Sequence, residues 1–223
     1  STKRYTYFGV AALTMWAIEP LLISEVQRLP IFELLSIIFA SSFLITAFRL
    51  TINKSWKTIR RQPLTIWVAG ILGVCGSDFA YIHGAQHAPI AHVDLIDYLW
   101  PCVAIVLAGL LPREKFSWKH VLGACLGLSG IYFLISSDGA LSDISSEYIF
   151  GYVLALVGAI LWGGYSVFSR YFTKVPTEMI GMYCGIGAII SFFLHLRFEE
   201  FFVPTAQELS LAILTGITGA GFA

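Results

Sequence analysis

Pro30-Ile-Phe-Glu-Leu-Leu-Ser-Ile-Ile-Phe-Ala-Ser-Ser-Phe-Leu-Ile-Thr-Ala-Phe-Arg-Leu-Thr-Ile52 decides the fold class. Its two charges, Glu33 and Arg49, lie near its ends. A helix needs about 20 mostly apolar residues to cross a bilayer, and this stretch supplies them. It leaves no polar face for water, as the outer helix of a soluble protein would. Seven further runs read alike: Tyr5–Ser24, Leu64–His83, Ile90–Leu111, Trp118–Ser136, Tyr148–Phe172, Thr177–Leu196 and Leu209–Ala223. Backbone amides in lipid must be satisfied internally, so runs of this length specify helices. The expectation is an all-α, polytopic membrane protein with about eight transmembrane helices in these residues.

Composition points the same way. The 223 residues are 57% hydrophobic and 13% charged, and mean hydropathy is +0.77. A soluble domain carries about 25% charged residues to cover its outside. Fourteen basic and 14 acidic residues cancel, so no basic face suggests nucleic acid. Cys75, Cys102, Cys125 and Cys184 fall in different apolar runs without metal-ligand spacing and read as small buried hydrophobes. No Walker motif, nucleophile elbow or His-Glu-x-x-His is present, which argues against ATP-driven pumping by this chain alone. No cofactor is called for.

The connections carry the charges and Pro30, Pro63, Pro89, Pro112, Pro176 and Pro204, which suit the first turn of a helix. With the amino end in the cytoplasm, Lys3, Arg4, Arg49, Lys54, Lys57, Arg60, Arg61, Arg113, Lys115, Lys119, Arg170 and Lys174 fall inside. Only Arg28 and Arg197 fall outside. That asymmetry fixes the orientation.

The chain also repeats itself. Trp16 aligns with Trp162, Glu33 with Glu178, and Gly73-Val-Cys-Gly76-Ser-Asp-Phe79-Ala80 with Gly216-Ile-Thr-Gly219-Ala-Gly-Phe222-Ala223. The offsets are 146, 145 and 143 residues, so three helices agree on one period. A unit of five helices is odd, and its second copy therefore enters the membrane inverted. Inverted repeats belong to carriers that open alternately to either side. The predicted domains are 1–145, a five-helix repeat, and 146–223, a partial second repeat of three helices. The run ending at Phe222-Ala223 lacks a polar flank, which predicts two further helices beyond it.

Charges at membrane depth are costly and face a cavity or a partner. Glu19, Asp78, Asp94 and Asp97 are such residues. Trp16, Glu19 and Pro20 share one helix face, and Trp162, Tyr165 and Ser166 hold the repeat-equivalent positions. Asp78 shares a face with Tyr81. Asp94, Asp97 and Pro101 share another, flanked by Tyr98 and Trp100. Aromatic walls with a few acids suit a ligand with a flat ring and a positive amine. The same residue types also serve as interface anchors, helix kinks and internally paired acids. His83, His87 and His92 form an outer His-rich segment, read as loop or cavity polar groups and not as a metal site. Gly123-x-x-x-Gly127 and Gly181-x-x-x-Gly185, with Gly70, Gly73 and Gly76, read as packing seams.

The central tryptophan of the first helix, the Gly-x-x-Gly of the third, and Asp97-Tyr98-Leu99-Trp100-Pro101-Cys102 together resemble the drug/metabolite transporter superfamily, EamA type. The resemblance covers essentially the whole chain. It implies ten helices as two inverted five-helix repeats, a central cavity, and export of amino acids or related compounds. By position it implies that Trp16, Tyr81, Tyr98, Trp100, Pro101 and Trp162 line the cavity. Asp97 stands where the pattern brings an asparagine, and Asp78 and Glu19 are additional, which favours cationic substrates or proton coupling. The expected protein is thus a monomeric exporter of amino acids or small organic amines in a bacterial inner membrane. Its partners are that solute, the lipid bilayer and, through the acids, protons. A membrane-embedded enzyme using the His and Asp residues near helices three and four, or a multi-helix receptor, is the alternative.

Overall fold

The computed structural model describes residues 2–109, 118–119, 122–123, 125–126, 129–130, 133, 146–170, 172 and 175–219. The fifth expected run, 118–136, and Gly127 therefore lie largely outside the described residues. Every described element is helical: α1 (Thr2–Ser24), α2 (Ile31–Ile52), α3 (Trp56–Arg60), α4 (Leu64–Gly70), a π-helical turn (Ile71–Cys75), α5 (Gly76–Ala85), α6 (Ile90–Asp97), α7 (Trp100–Gly109), α8 (Ile149–Ser169), α9 (Met179–Phe198) and α10 (Ala206–Gly219). A short 3₁₀ turn, Ser146–Tyr148, leads into α8. Among the described residues five helical stretches are long and apolar enough to cross a membrane. They are Ile31–Ile52, Leu64–Ala85, Ile90–Gly109, Ser146–Ser169 and Met179–Phe198. The protein is an all-α, multi-pass membrane protein.

Prolines set the starts. Pro30, Pro63 and Pro89 each occupy the residue just before α2, α4 and α6, with φ of −53°, −68° and −54°. There the missing amide costs nothing, because that position has no intrahelical donor to lose. Apolar side chains face lipid around most of each span: Leu44, Phe48, Val106, Val153 and Phe193 are all exposed.

Two features depart from the expected continuous runs, and one connection carries a helix of its own. The third span carries the π turn at Ile71–Cys75, one extra residue per turn in the middle of a helix. The fourth span is broken: α6 ends at Asp97, Tyr98 takes φ −61° and ψ 0°, and α7 resumes at Trp100. Pro101 has no amide to give the Asp97 carbonyl, so the helical ladder fails there. Asp97 and Pro101 consequently do not sit on one unbroken helix face. The 53–63 connection contains α3, whose Ile59 is buried while Lys57 and Arg60 are exposed.

The chain forms two compact units, residues 1–71 with 174–223, and residues 72–173. In the first, α2 packs against α9 and α10, α1 against α10, and α4 against α9. Gly181 and Gly185 of α9 lie against Thr46 and Phe43 of α2, so the predicted small-residue seam is an antiparallel helix contact. Gly70 gives its missing side-chain space to the Tyr183 ring, which is fully buried. In the second unit α8 is central and packs on α5, α6 and α7.

Candidate functional site

The second unit gathers most of the predicted residues. Gly151, Ala155, Gly158, Ala159 and Gly163 are buried along one stripe of α8 at helical spacing. This stripe lets neighbouring backbones come close. A Cβ on Gly158 would stand 3.1 Å from an Asp97 carboxylate oxygen and 3.4 Å from the Ser77 carbonyl. One on Gly163 would stand 2.8 Å from the Trp100 carbonyl oxygen. Gly73 yields its space to Tyr165.

Around this seam the acids converge. Tyr81 donates its hydroxyl to Asp94 Oδ1 at 2.5 Å, which joins α5 to α6. Asp97 and the Ser77–Asp78 stretch of α5 meet α8 at the same glycine, Gly158. Trp100 and Trp162 meet edge to face, with ring centroids 6.4 Å apart and planes at 82°. Tyr165 continues the group 5.9 Å from Trp162. Tyr98, at the helix break, is about half exposed. Pro101 follows Trp100 in the first turn of α7. The unit thus holds Asp78, Tyr81, Asp94, Asp97, Trp100, Trp162 and Tyr165 in one neighbourhood.

Trp16 and Glu19 belong to the first unit. Trp16 Nε1 donates to the Gly219 carbonyl of α10 at 3.4 Å, and the Glu19 carboxylate lies against the same glycine.

The histidines make local contacts. His83 and His87 meet edge to face at 4.5 Å, and His87 Nδ1 bonds to the His83 carbonyl. His92 Nδ1 pairs with the Tyr152 hydroxyl at 2.8 Å, joining α6 to α8. Sequence reasoning missed Tyr152, the α8 small-residue stripe and a polar group in the first unit. There the Glu199 carboxylate accepts from the Phe32 and Glu33 amides at 2.8 and 3.1 Å, and pairs with His195 at 2.9 Å. It caps the start of α2 from the end of α9, a service no local spacing announces. The 3.6-residue period of small residues on α8 was the signal available for the stripe.

Outside the spans, Arg28 pairs with Glu208, which also accepts from the Thr205 amide and hydroxyl. The Arg28 hydrogen bond, followed by the two from Thr205, holds the Glu208 carboxyl down at about 2.

Residues 4–136, more than half of the chain, match the EamA-like transporter family. The chain belongs to the EamA-like transporter family. It is 32% identical over its whole length to an aromatic amino acid exporter YddG of Ancylobacter novellus, of which it covers 78%. Over 184 residues it is 25% identical to the protein of the same name from Escherichia coli, covering 77% of this chain and 61% of that one. A riboflavin transporter of Brucella anthropi is 22% identical over 179 residues, or 78% of this chain, and is itself covered over 61% of its length. A crystal structure 31% identical in sequence superposes with a TM-score of 0.82, over 99% of this chain and 77% of that one. This EamA-like chain is therefore a transporter-family protein and not an enzyme. The same membership sets the receptor reading aside.

Proposed function

We propose that this EamA-like protein exports amino acids or related small organic amines by alternating access. It does so as a monomer in a bacterial inner membrane, with its amino end in the cytoplasm. One observation carries the reading: an edge-to-face tryptophan pair, Trp100 with Trp162, shares a unit of the protein with Asp78, Asp94 and Asp97. Indole faces attract rings and cations, and carboxylates at low dielectric attract an amine strongly. The Tyr81 hydroxyl fixes the Asp94 carboxylate, and the Gly158 backbone gives Asp97 room to approach α8. Tyr98 and Tyr165 extend the aromatic wall with Pro101 beside it, and Trp16 and Glu19 hold in the first repeat the positions that Trp162 and Tyr165 hold in the second. The names of the relatives, two exporters of aromatic amino acids and a carrier of a flat-ringed vitamin, support a ring-bearing solute.

The division into inverted repeats, 1–145 and 146–223, draws support from an exchange of partners. The first helix of one repeat packs on the third of the other, as α1 with α10, and the converse pair is α8 with α5. The second helices, α2 and α9, pack on each other. A two-fold axis in the membrane plane generates that exchange. Solute binds near mid-membrane, and one repeat then moves against the other.

Efflux from proteoliposomes loaded with labelled aromatic amino acids or amines tests this. Trp100→Ala and Asp97→Asn are each expected to slow efflux about tenfold, a loss of about 1.4 kcal/mol, which lies within the range of a cation–π contact. Wild-type rates in both variants would remove the assignment. An acid that must release a proton before it takes a cation couples the two flows. Efflux that is indifferent to a pH gradient would discard that coupling.

A further inference from the structure

The connection between α2 and α4 does more than a polar loop requires. Residues 34–77 hold no Asp or Glu but include Arg49, Lys54, Lys57, Arg60 and Arg61. Among the described residues none of these five enters a salt bridge. Placing positive charge on one side of a membrane needs only a flexible loop. Here the loop is built. Lys54 takes a left-handed φ of 52°, and the Ser55 amide bonds to the Leu50 carbonyl. The chain then turns into α3, which is pinned by the fully buried Ile59. The Trp56 indole is oriented by donating to the Thr51 hydroxyl at 3.2 Å. With 100° per residue, Trp56, Lys57 and Arg60 fall within one arc of about 100° on α3, and Ile59 lies outside it. Those three side chains line a half-open cleft of about 430 Å³.

The cleft lies at the junction of two spans. It falls between the last residue of one membrane-spanning helix, Ile52, and the first of the next, Leu64. Both residues are exposed and apolar, as are Phe48 and Val68 one turn deeper in each helix. A tryptophan at this level with two unpaired cations beside it matches a phosphodiester, and the apolar side chains below it match acyl chains.

We propose that Trp56, Lys57 and Arg60 form a binding site for the phosphate headgroup of an anionic phospholipid, with Lys54 and Arg61 adding to its field. Lys57 and Arg60 meet the phosphate oxygens, and the indole of Trp56 bounds the glycerol level. The site is separate from the transport reading. It depends on that reading only for which leaflet supplies the lipid.

Native mass spectrometry of the purified protein, with lipid added back, tests it. Three ligands are compared: phosphatidylglycerol, phosphatidylcholine and inorganic phosphate. The wild-type protein is expected to retain phosphatidylglycerol and to bind phosphatidylcholine at least tenfold more weakly. Removing one interfacial cation weakens anionic-lipid binding about fivefold, so Lys57→Gln with Arg60→Gln together should weaken it roughly 30-fold. Both side chains are exposed, and an unchanged unfolding temperature verifies that the double variant folds. Arg170→Gln, another exposed cation on the same side, should leave binding unchanged. Equal retention of the two lipids, wild-type retention by the double variant, or an equal loss in Arg170→Gln would each overturn the proposal. Displacement of the lipid by stoichiometric inorganic phosphate would assign the cleft to a free anion and overturn it too.

Discussion

Two adjacent glycines on α8 should respond oppositely to the same added methyl. At Gly163 a Cβ would stand 2.8 Å from the Trp100 carbonyl oxygen and 3.1 Å from both Cβ and Cγ1 of Val103. The oxygen is backbone, at the start of α7, and cannot rotate away. The helix must yield by roughly half an ångström, and such overpacking costs about 1–3 kcal/mol. Against it stands the helical preference of alanine over glycine, about 1 kcal/mol. Gly163→Ala should therefore be destabilising by up to about 2 kcal/mol. At Gly164 the nearest atom to an added Cβ is Leu107 Cδ1, at 3.9 Å, an ordinary contact with a side-chain tip. Gly164→Ala should keep the propensity gain and be stabilised by as much as about 1 kcal/mol. Thermal unfolding in one detergent orders the three proteins, with wild type in the middle. Displacing the Trp100 backbone also disturbs its ring contact with Trp162, so Gly163→Ala should slow efflux while Gly164→Ala does not. A Gly163→Ala protein as stable as Gly164→Ala would refute the packing of α7 on α8 described above.

Three further outcomes follow from the first unit. Gly181→Leu drives a side chain into Thr46 at the α2–α9 seam, where no space exists, and should abolish folding in a size-exclusion assay; Ile189→Leu, on the exposed side of α9, is the tolerated control. Glu199→Ala orphans the Phe32 and Glu33 amides and removes the partner of His195, which should cost about 1–3 kcal/mol in unfolding, whereas exposed Glu200→Ala should be silent. The Glu208 carboxyl sits at about 2, below its ordinary 4.5, so its stabilisation is complete above pH 4.5 and disappears as the pH falls through about 2. Across that window the unfolding temperature of the wild type should drop more steeply than that of Glu208→Gln, and parallel curves would show that the Arg28 pairing contributes nothing.

Much of the fold was legible because lipid allows few solutions. Seven of the eight expected runs reappear as helical stretches with bounds shifted by a few residues, and Pro30, Pro63 and Pro89 mark starts as their chemistry requires. What escaped was phase within a run. Hydropathy is indifferent to whether Ile71–Cys75 is α or π, or whether the ladder continues through Tyr98. The acids of the candidate site were visible, since charge at membrane depth stands out against Leu and Ile. Their grouping was visible only within single helices: the Tyr81–Asp94 bond and the approach of Asp97 to Gly158 join different helices. Glu199 was overlooked for the same reason, as its partners lie 166 and 167 residues away.

The π turn in the third span has a consequence for how that helix can vary through descent. One surplus residue is absorbed between Gly70, which must offer a flat surface to Tyr183, and Gly73, which must do so for Tyr165. Deleting a residue from the regular coil of α4, where no widened turn absorbs the change, would swing everything beyond it by about 100°. Asp78 and Tyr81 would then point a third of a circle away from their neighbours. The widened turn is where this span can lose a residue and still hold Asp78 and Tyr81 in phase, so long as position 73 stays glycine.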